Sequence, residues 1–304
     1  MQHQKSIQAR NHRSGFGTSV QARLAASIVA ILGVAATSES SMASTIVVSR
    51  CNDLPPGHGV KGESLRTAIG KAVDADLVDL SGLDTSCSTI TLQSGEIPIG
   101  LANLAIRGPT GHVLTIDGNH VGRVFYHSGK GVLTISSLSL ANGRTSGNGG
   151  CLYSNGAVML DHLSVTGCHA VNGGGVFSSG PTPSNVAKYP TTLAFVTLSG
   201  NVADQTGGGI YNQSLLTLQS SLVDGNTAAF VGGGVFDNGT TPTSDFPPTY
   251  GTTYIQATVV SGNSARYQGG GISTSGPLIT TYSTISDNKS YLLGGGGVAV
   301  FANF

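Results

Sequence analysis

Tryptophan is missing from this chain, and charge is scarce: only 10% of its 304 residues are Asp, Glu, Lys or Arg. Its 15 basic residues balance 15 acidic ones, so it lacks the basic face that a phosphate backbone requires. Nucleic acid is therefore excluded as an expected partner. Scarce charge with abundant Val, Ile, Leu and Thr also argues against a disordered chain. No apolar run is long enough to span a bilayer. Helical periodicity is missing after residue 80. None of the four cysteines stands in CxxC spacing, which disfavours zinc and redox chemistry. Asp117-Gly118-Asn119 lacks the alternating acidic residues of a calcium loop and reads as a turn. No metal or cofactor is expected.

What the chain has is glycine, 45 residues of it, without the triplet period of collagen. Gly150-Cys151-Leu152, Gly174-Gly175-Val176, Gly208-Gly209-Ile210, Gly233-Gly234-Val235, Gly270-Gly271-Ile272 and Gly296-Gly297-Val298 repeat one pattern. Asn142, Cys168, Asn201, Asn226, Asn263 and Asn288 recur in phase ahead of these clusters. Two marks locked at a period of about 25 residues signify a stacked repeat. Short runs rich in Thr, Ile, Val and Leu, each closed by Gly or Asn, are strand-and-turn chemistry. The expected fold is all-β, a right-handed parallel β-helix of the pectin-lyase-like architecture. Its Asn residues would form a hydrogen-bonded ladder from coil to coil.

The N-terminus reads as an export signal. Lys5, Arg10, Arg13 and Arg23 precede a short apolar run at 24–36, and Ser41-Met42-Ala43 offers a cleavage site. Residues 1–43 are expected to be removed, leaving a weakly acidic mature chain. An even cysteine count in an exported protein suggests disulfides, and three pairings are formally open. Spacing favours Cys51–Cys87 and Cys151–Cys168. Residues 44–86 read as an N-terminal cap: a strand at 44–50, then a short helix capped by Ser64. Leu65, Ile69 and Val73 would share one face of that helix. Residues 87–304 would form the solenoid. Its last coil is expected to be shortened, or to pair with another molecule, since no polar cap follows Gly297.

The segment ESLRTAIGKAVDADLVDLSGLDTSCSTITLQSGEIPI resembles the N-terminal region of bacterial β-helix surface proteins of the choice-of-anchor type, which carry a CSLREA-like motif. The GGG[VI][FY] and SGN repeats resemble the polymorphic outer-membrane-protein repeat, with its GGA[IL] and FxxN elements. The family cysteine is replaced at or beside Ser64. The family Phe is replaced by Leu198, Val223 or Val260. The resemblance implies an exported, cell-surface or outer-membrane-associated β-helix and implies no reaction.

Chemistry-bearing residues are few: Asp161, His162, His169, Asp204, Asp224, Asp237, Asp245, Arg266, Asp287 and Lys289. Polysaccharide hydrolases converge two carboxylates on one bond, and lyases place a base beside a calcium site. Neither pattern is visible, so no catalytic residue is assigned. Asp161 and His162, as neighbours in a strand, would point to opposite faces. Tyr153, Phe177, Tyr211 and Phe236 follow the inward aliphatic residues and should face outward, either to stack on sugar rings or to stabilise the coil as a stacked column. Two insertions, near 180–191 and 239–252, enter at one point of the repeat and carry Tyr189, Phe246 and Tyr250. They could be a binding edge or tolerated loops. The functional expectation is a non-catalytic adhesion module for glycans or a partner surface. A polysaccharide lyase or hydrolase and a purely structural passenger are the alternatives.

Overall fold

In the computed structural model, which describes residues 43–54, 61–180, 190–239 and 252–301, the short apolar runs coil into a parallel β-helix. The described residues form 28 strands in sheets of 15, 8 and 5 strands. One coil shows how the sequence does this. Thr191–Ser199 lies in the first sheet, Val202–Ala203 in the third and Ile210–Asn212 in the second. Each strand pairs in parallel with its counterpart one coil on, as Ile210 does with Val235 and Leu198 with Val223.

Strand alternation sends every second residue inward. Leu193, Leu218 and Ile255 therefore stack in one column, Leu198, Val223 and Val260 in a second, and Val176, Ile210, Val235 and Ile272 in a third. All of these side chains are fully buried. These columns are the core, and each coil needs its neighbours to complete it.

The asparagines turn the corner after the first sheet. Asn201 donates from its backbone N and its Nδ2 to Asn226 Oδ1, at 3.0 and 2.9 Å. Asn226 does the same to Asn263 at 2.9 and 2.9 Å, and Asn263 to Asn288 at 3.0 and 2.9 Å. Asn142 corrects the expected pattern. Ala141 pairs with Thr166, so Asn142 aligns with Gly167, one step before the ladder. It holds φ +54°, and in the later coils Gly200, Gly225 and Gly262 take that left-handed position.

Glycine and asparagine recur in phase because they pack against each other. A Cβ on Gly209 would lie 2.6 Å from the Gly234 carbonyl and 3.3 Å from the Asn226 carboxamide, so only glycine fits. In the first of these coils Cys151 stands in the glycine column and Cys168 in the asparagine column. The same contact has become a disulfide. Cys51 and Cys87 are likewise joined. Serine at both Cys151 and Cys168 is expected to lower stability by roughly 3 kcal/mol, since the bridge closes a short loop. A shift of the urea midpoint against unreduced wild type checks this.

The N-terminal region is woven into the solenoid. Thr45–Val47 pairs with Leu77–Asp79, which pairs with Leu104–Arg107 in the first sheet, so that sheet begins well before residue 87. The helix Leu65–Lys71 falls in sequence between these first two strands and buries Leu65, Ala68 and Ile69. Ser64 and Thr67 cap each other reciprocally. Val73 is exposed, contrary to the helical-face expectation, because the helix stops at Lys71 and Ala72 is already extended. Arg66 holds buried Asp53 through two bonds of 2.7 and 2.8 Å and donates to the Gly95 and Glu96 carbonyls. One guanidinium thus ties the first segment to the first complete coil.

Candidate functional site

Three features of the coil surface and interior carry polar or aromatic chemistry. The first is the aromatic column of the second sheet. Tyr153, Phe177, Tyr211 and Phe236 are in register, and Tyr126 extends the column by one rung. Successive ring centroids lie 5.0, 5.2, 4.7 and 5.0 Å apart. Arg123 sits over Tyr126 and Tyr153 at 5.4 and 5.7 Å. Phe177 is buried and the other four rings are half-buried. Tyr153 donates its hydroxyl to Asn155 Oδ1 at 2.8 Å, while Gln213 and Asn238 donate to the Tyr211 oxygen. Burial pushes the Tyr153 hydroxyl above its usual range. Rings that cover one another, with the Tyr153 and Tyr211 hydroxyls engaged, act as a spine for the coil.

The second feature lies inside, at the end of the same strands. His127, Ser154, Ser178, Asn212, Asp237 and Thr274 form one buried column, and Thr191 and Thr253 of the first sheet and Ser214 of the intervening turn close it. The Leu101 carbonyl can only accept, so His127 Nε2 donates to it at 3.0 Å and Nδ1 faces the Ser154 hydroxyl at 2.7 Å. Burial lowers the His127 pKa, which keeps the ring neutral. Ser178 bonds Thr191 at 2.8 Å. Asn212 Nδ2 donates to Asp237 Oδ1 at 3.0 Å, and the Thr253 hydroxyl donates to Asp237 Oδ2. Burial raises the Asp237 carboxyl to about 7, against the opposing pull of the Thr253 and Asn212 bonds.

The two insertions interrupt the sequence at this seam. Ser178 and Asp237 precede them, and Thr191 and Thr253 follow them, in the same two columns. The insertions therefore leave one edge, two rungs and roughly 10 Å apart. Tyr189, Phe246, Tyr250 and Asp245 lie outside the described residues.

The third feature is a corner within the first sheet. Ser137, His162, Phe195, Ser220, Ala257 and Tyr282 all hold positive φ, between +47° and +55°. The left-handed residue bends the strand and turns its own side chain outward. That explains why Asp161 and His162 do not oppose each other: the bend breaks alternation, and Asp161 Oδ1 accepts from His162 Nδ1 at 2.9 Å. His162 stacks on Phe195 with centroids 4.6 Å apart. Phe195 is 52% exposed and Tyr282 94% exposed.

A third insertion leaves this corner, which the sequence reading missed. Arg107 pairs with Ser136, and Thr115 with Ser139, so residues 108–114 span what residues 137–138 span one coil later. This strap walls a groove of about 690 Å³ whose floor is the corner at Ser137, His162, Ser164 and Phe195. His112 anchors the strap through Nε2, 3.2 Å from the Cys87 carbonyl.

The remaining chemistry-bearing residues are dispersed. His169 bonds Asp204 at 2.8 Å, Asp224 accepts from Ser261 at 2.7 Å, and Arg266 lies over Tyr267 at 5.6 Å. Asp287 takes the left-handed turn position ahead of the last ladder asparagine, and Lys289 sits on the third sheet. Among the described residues no three His, Cys, Asp or Glu side chains gather into a metal-binding group. Tyr126 and His127 went unnoticed in the sequence because the glycine clusters used to set the phase start only at Gly150, and Phe195 because its column of Ser, His, Phe, Ser, Ala and Tyr repeats no residue type. Phe125-Tyr126-His127 repeats the pattern of Leu152-Tyr153-Ser154 and carried the missing signal.

Residues 195–213 match the Chlamydia polymorphic membrane protein repeat. The matched stretch starts at Phe195 on the corner, passes through ladder residue Asn201 and ends after the Gly207-Gly208-Gly209 turn. It thus covers roughly three quarters of one 25-residue coil. No curated protein and no solved structure matches the chain.

Proposed function

We propose that this protein is an exported surface β-helix that binds a ligand or partner through its outer face and does not cleave it. The observation that carries the reading is Phe195. A bulky ring stands half-exposed at a left-handed position, where Asn or Gly would be less strained and more soluble. Unfavourable choices of this kind concentrate at binding sites. The match to a membrane-protein repeat supports a surface or outer-membrane location. Two disulfides support an oxidising compartment, and residues 1–43 would direct export.

The polysaccharide-lyase reading is disfavoured by the carboxylates themselves. Asp161 and Asp204 are each tied to a histidine, and Asp237 is sealed in the core. Two experiments test the proposal. Secreted protein is expected to begin at Ser44 on N-terminal sequencing, and intact cells should lose it to external protease. Incubation with polygalacturonate, alginate and neutral glycans is expected to release no product. Reducing ends or unsaturated products above background would overturn the non-catalytic assignment.

A further inference from the structure

We infer that the groove between the strap at 108–114 and the corner at His162 and Phe195 is a binding site for a neutral oligosaccharide. The inference rests on the binding function proposed above and names its ligand class.

Groove size is the first argument. About 690 Å³ lies within the range of small-ligand sites, of order 300–1,000 Å³. A protein partner would need a far larger contact, roughly 800 Å² on each side.

The lining is the second. It contains no Asp, Glu, Lys or Arg side chain, which removes the usual means of holding a phosphate, a uronate or a charged peptide. It offers hydroxyls from Ser137, Ser164 and Thr197, together with the imidazoles of His112 and His162. His162 donates to Asp161 through Nδ1, so Nε2 of the neutral ring is left as an acceptor facing solvent-accessible space. Short side chains that both donate and accept match a hydroxyl-rich ligand.

The aromatic stack is the third. His162 and Phe195 cover each other on one side only. The next residue up the left-handed column is Ser137, and the next one down is Ser220. Neither can cover a ring, so the stack ends in uncovered faces. An aromatic face beside hydrogen-bonding groups suits a sugar, whose C–H face is apolar and whose edge is polar. The strap supplies the opposite wall through Val113, which is 71% exposed.

The test uses full-length, disulfide-intact protein. Isothermal titration is run with cellohexaose, mannohexaose, xylohexaose and N-acetylchitohexaose as neutral probes, and with hexagalacturonate as the acidic one. The expected result is measurable binding of at least one neutral probe, weaker by tenfold or more in Phe195→Ala and in Val113→Arg, and unchanged in Tyr211→Phe. Phe195 and Val113 are exposed, so both variants should melt with wild type. Binding that Phe195→Ala and Val113→Arg leave intact would overturn the groove assignment while the surface-binding function stands. Preference for hexagalacturonate, or no heat with any neutral probe, would overturn the ligand class. Failure of the broader proposal reads differently, as product release or an intracellular location.

Discussion

Asp237→Asn is expected to stabilise the protein by up to about 4 kcal/mol near pH 8 and to leave it unchanged at acid pH. The unfolded carboxyl titrates near 3.8, whereas in the folded coil burial holds it near 7. Between those values the folded state keeps a proton that the unfolded state has lost. Each rise in pH across that window therefore favours unfolding. Below it the carboxyl is neutral in both states and carries no penalty; above it the penalty is complete. Asparagine mimics the neutral acid. Its Oδ1 accepts from Asn212 as before, and its Nδ2 donates to Thr253, whose hydroxyl can turn to Thr274 Oγ1, 3.4 Å away. Asn212 already occupies the same column one rung earlier. His127 works in the opposite direction. Its pKa is lowered by burial, so its contribution is present above the ordinary histidine range and is lost as pH falls through the folded value. Urea midpoints of wild type and Asp237→Asn, measured from pH 4 to 8, should converge at the acid end and separate with rising pH. Parallel curves would show that Asp237 is not the titrating group.

Asn226→Ala is expected to destabilise by roughly 3–5 kcal/mol, the largest loss anticipated for one surface-remote side chain. The Asn226 carboxamide accepts from Asn201 N and Nδ2 and donates to Asn263 Oδ1 and the Leu198 carbonyl, all within a fully buried site. Truncation leaves the Asn201 N–H and the Leu198 carbonyl without these partners and opens a void beside Gly209. Asn226→Asp is the informative companion. It keeps the acceptor, loses the donors and places a charge in the core, so it should be at least as damaging at neutral pH. A chemical-denaturation series on the two variants measures both effects.

The interior of this molecule was largely legible in its sequence, because a stacked coil imposes the same demand on every rung. A Cβ at Gly209 would collide with the Gly234 carbonyl and crowd the Asn226 carboxamide, so both residue types recur and advertise the period. Cys151 and Cys168 broke both columns together, and that shared break marked their contact. The exterior was less legible. Each rung solves its outer face separately, so Phe195 stands in a column with Ser137 and Ala257 and shows no period. Asp161 and His162 were misread because the left-handed bend at His162 is enforced by register with neighbouring coils, which strand alternation ignores. The strap at 108–114 was missed because that coil precedes the glycine clusters that set the phase. The polar seam was hidden too: Asp237 is one more scattered carboxylate in the sequence until the columns of Asn212 and Thr253 are seen to enclose it.

On the proposed function, the inside of the coil sets the fold while the Phe195 corner serves a ligand. Phe195→Asn separates the two. Asparagine tolerates the left-handed backbone better than phenylalanine and removes the exposed ring. Melting temperature and affinity for a bound neutral hexasaccharide, measured on one preparation, should move in opposite directions: melting unchanged or higher, affinity down tenfold or more. A variant that melts lower, or that binds as wild type does, would contradict this division of labour.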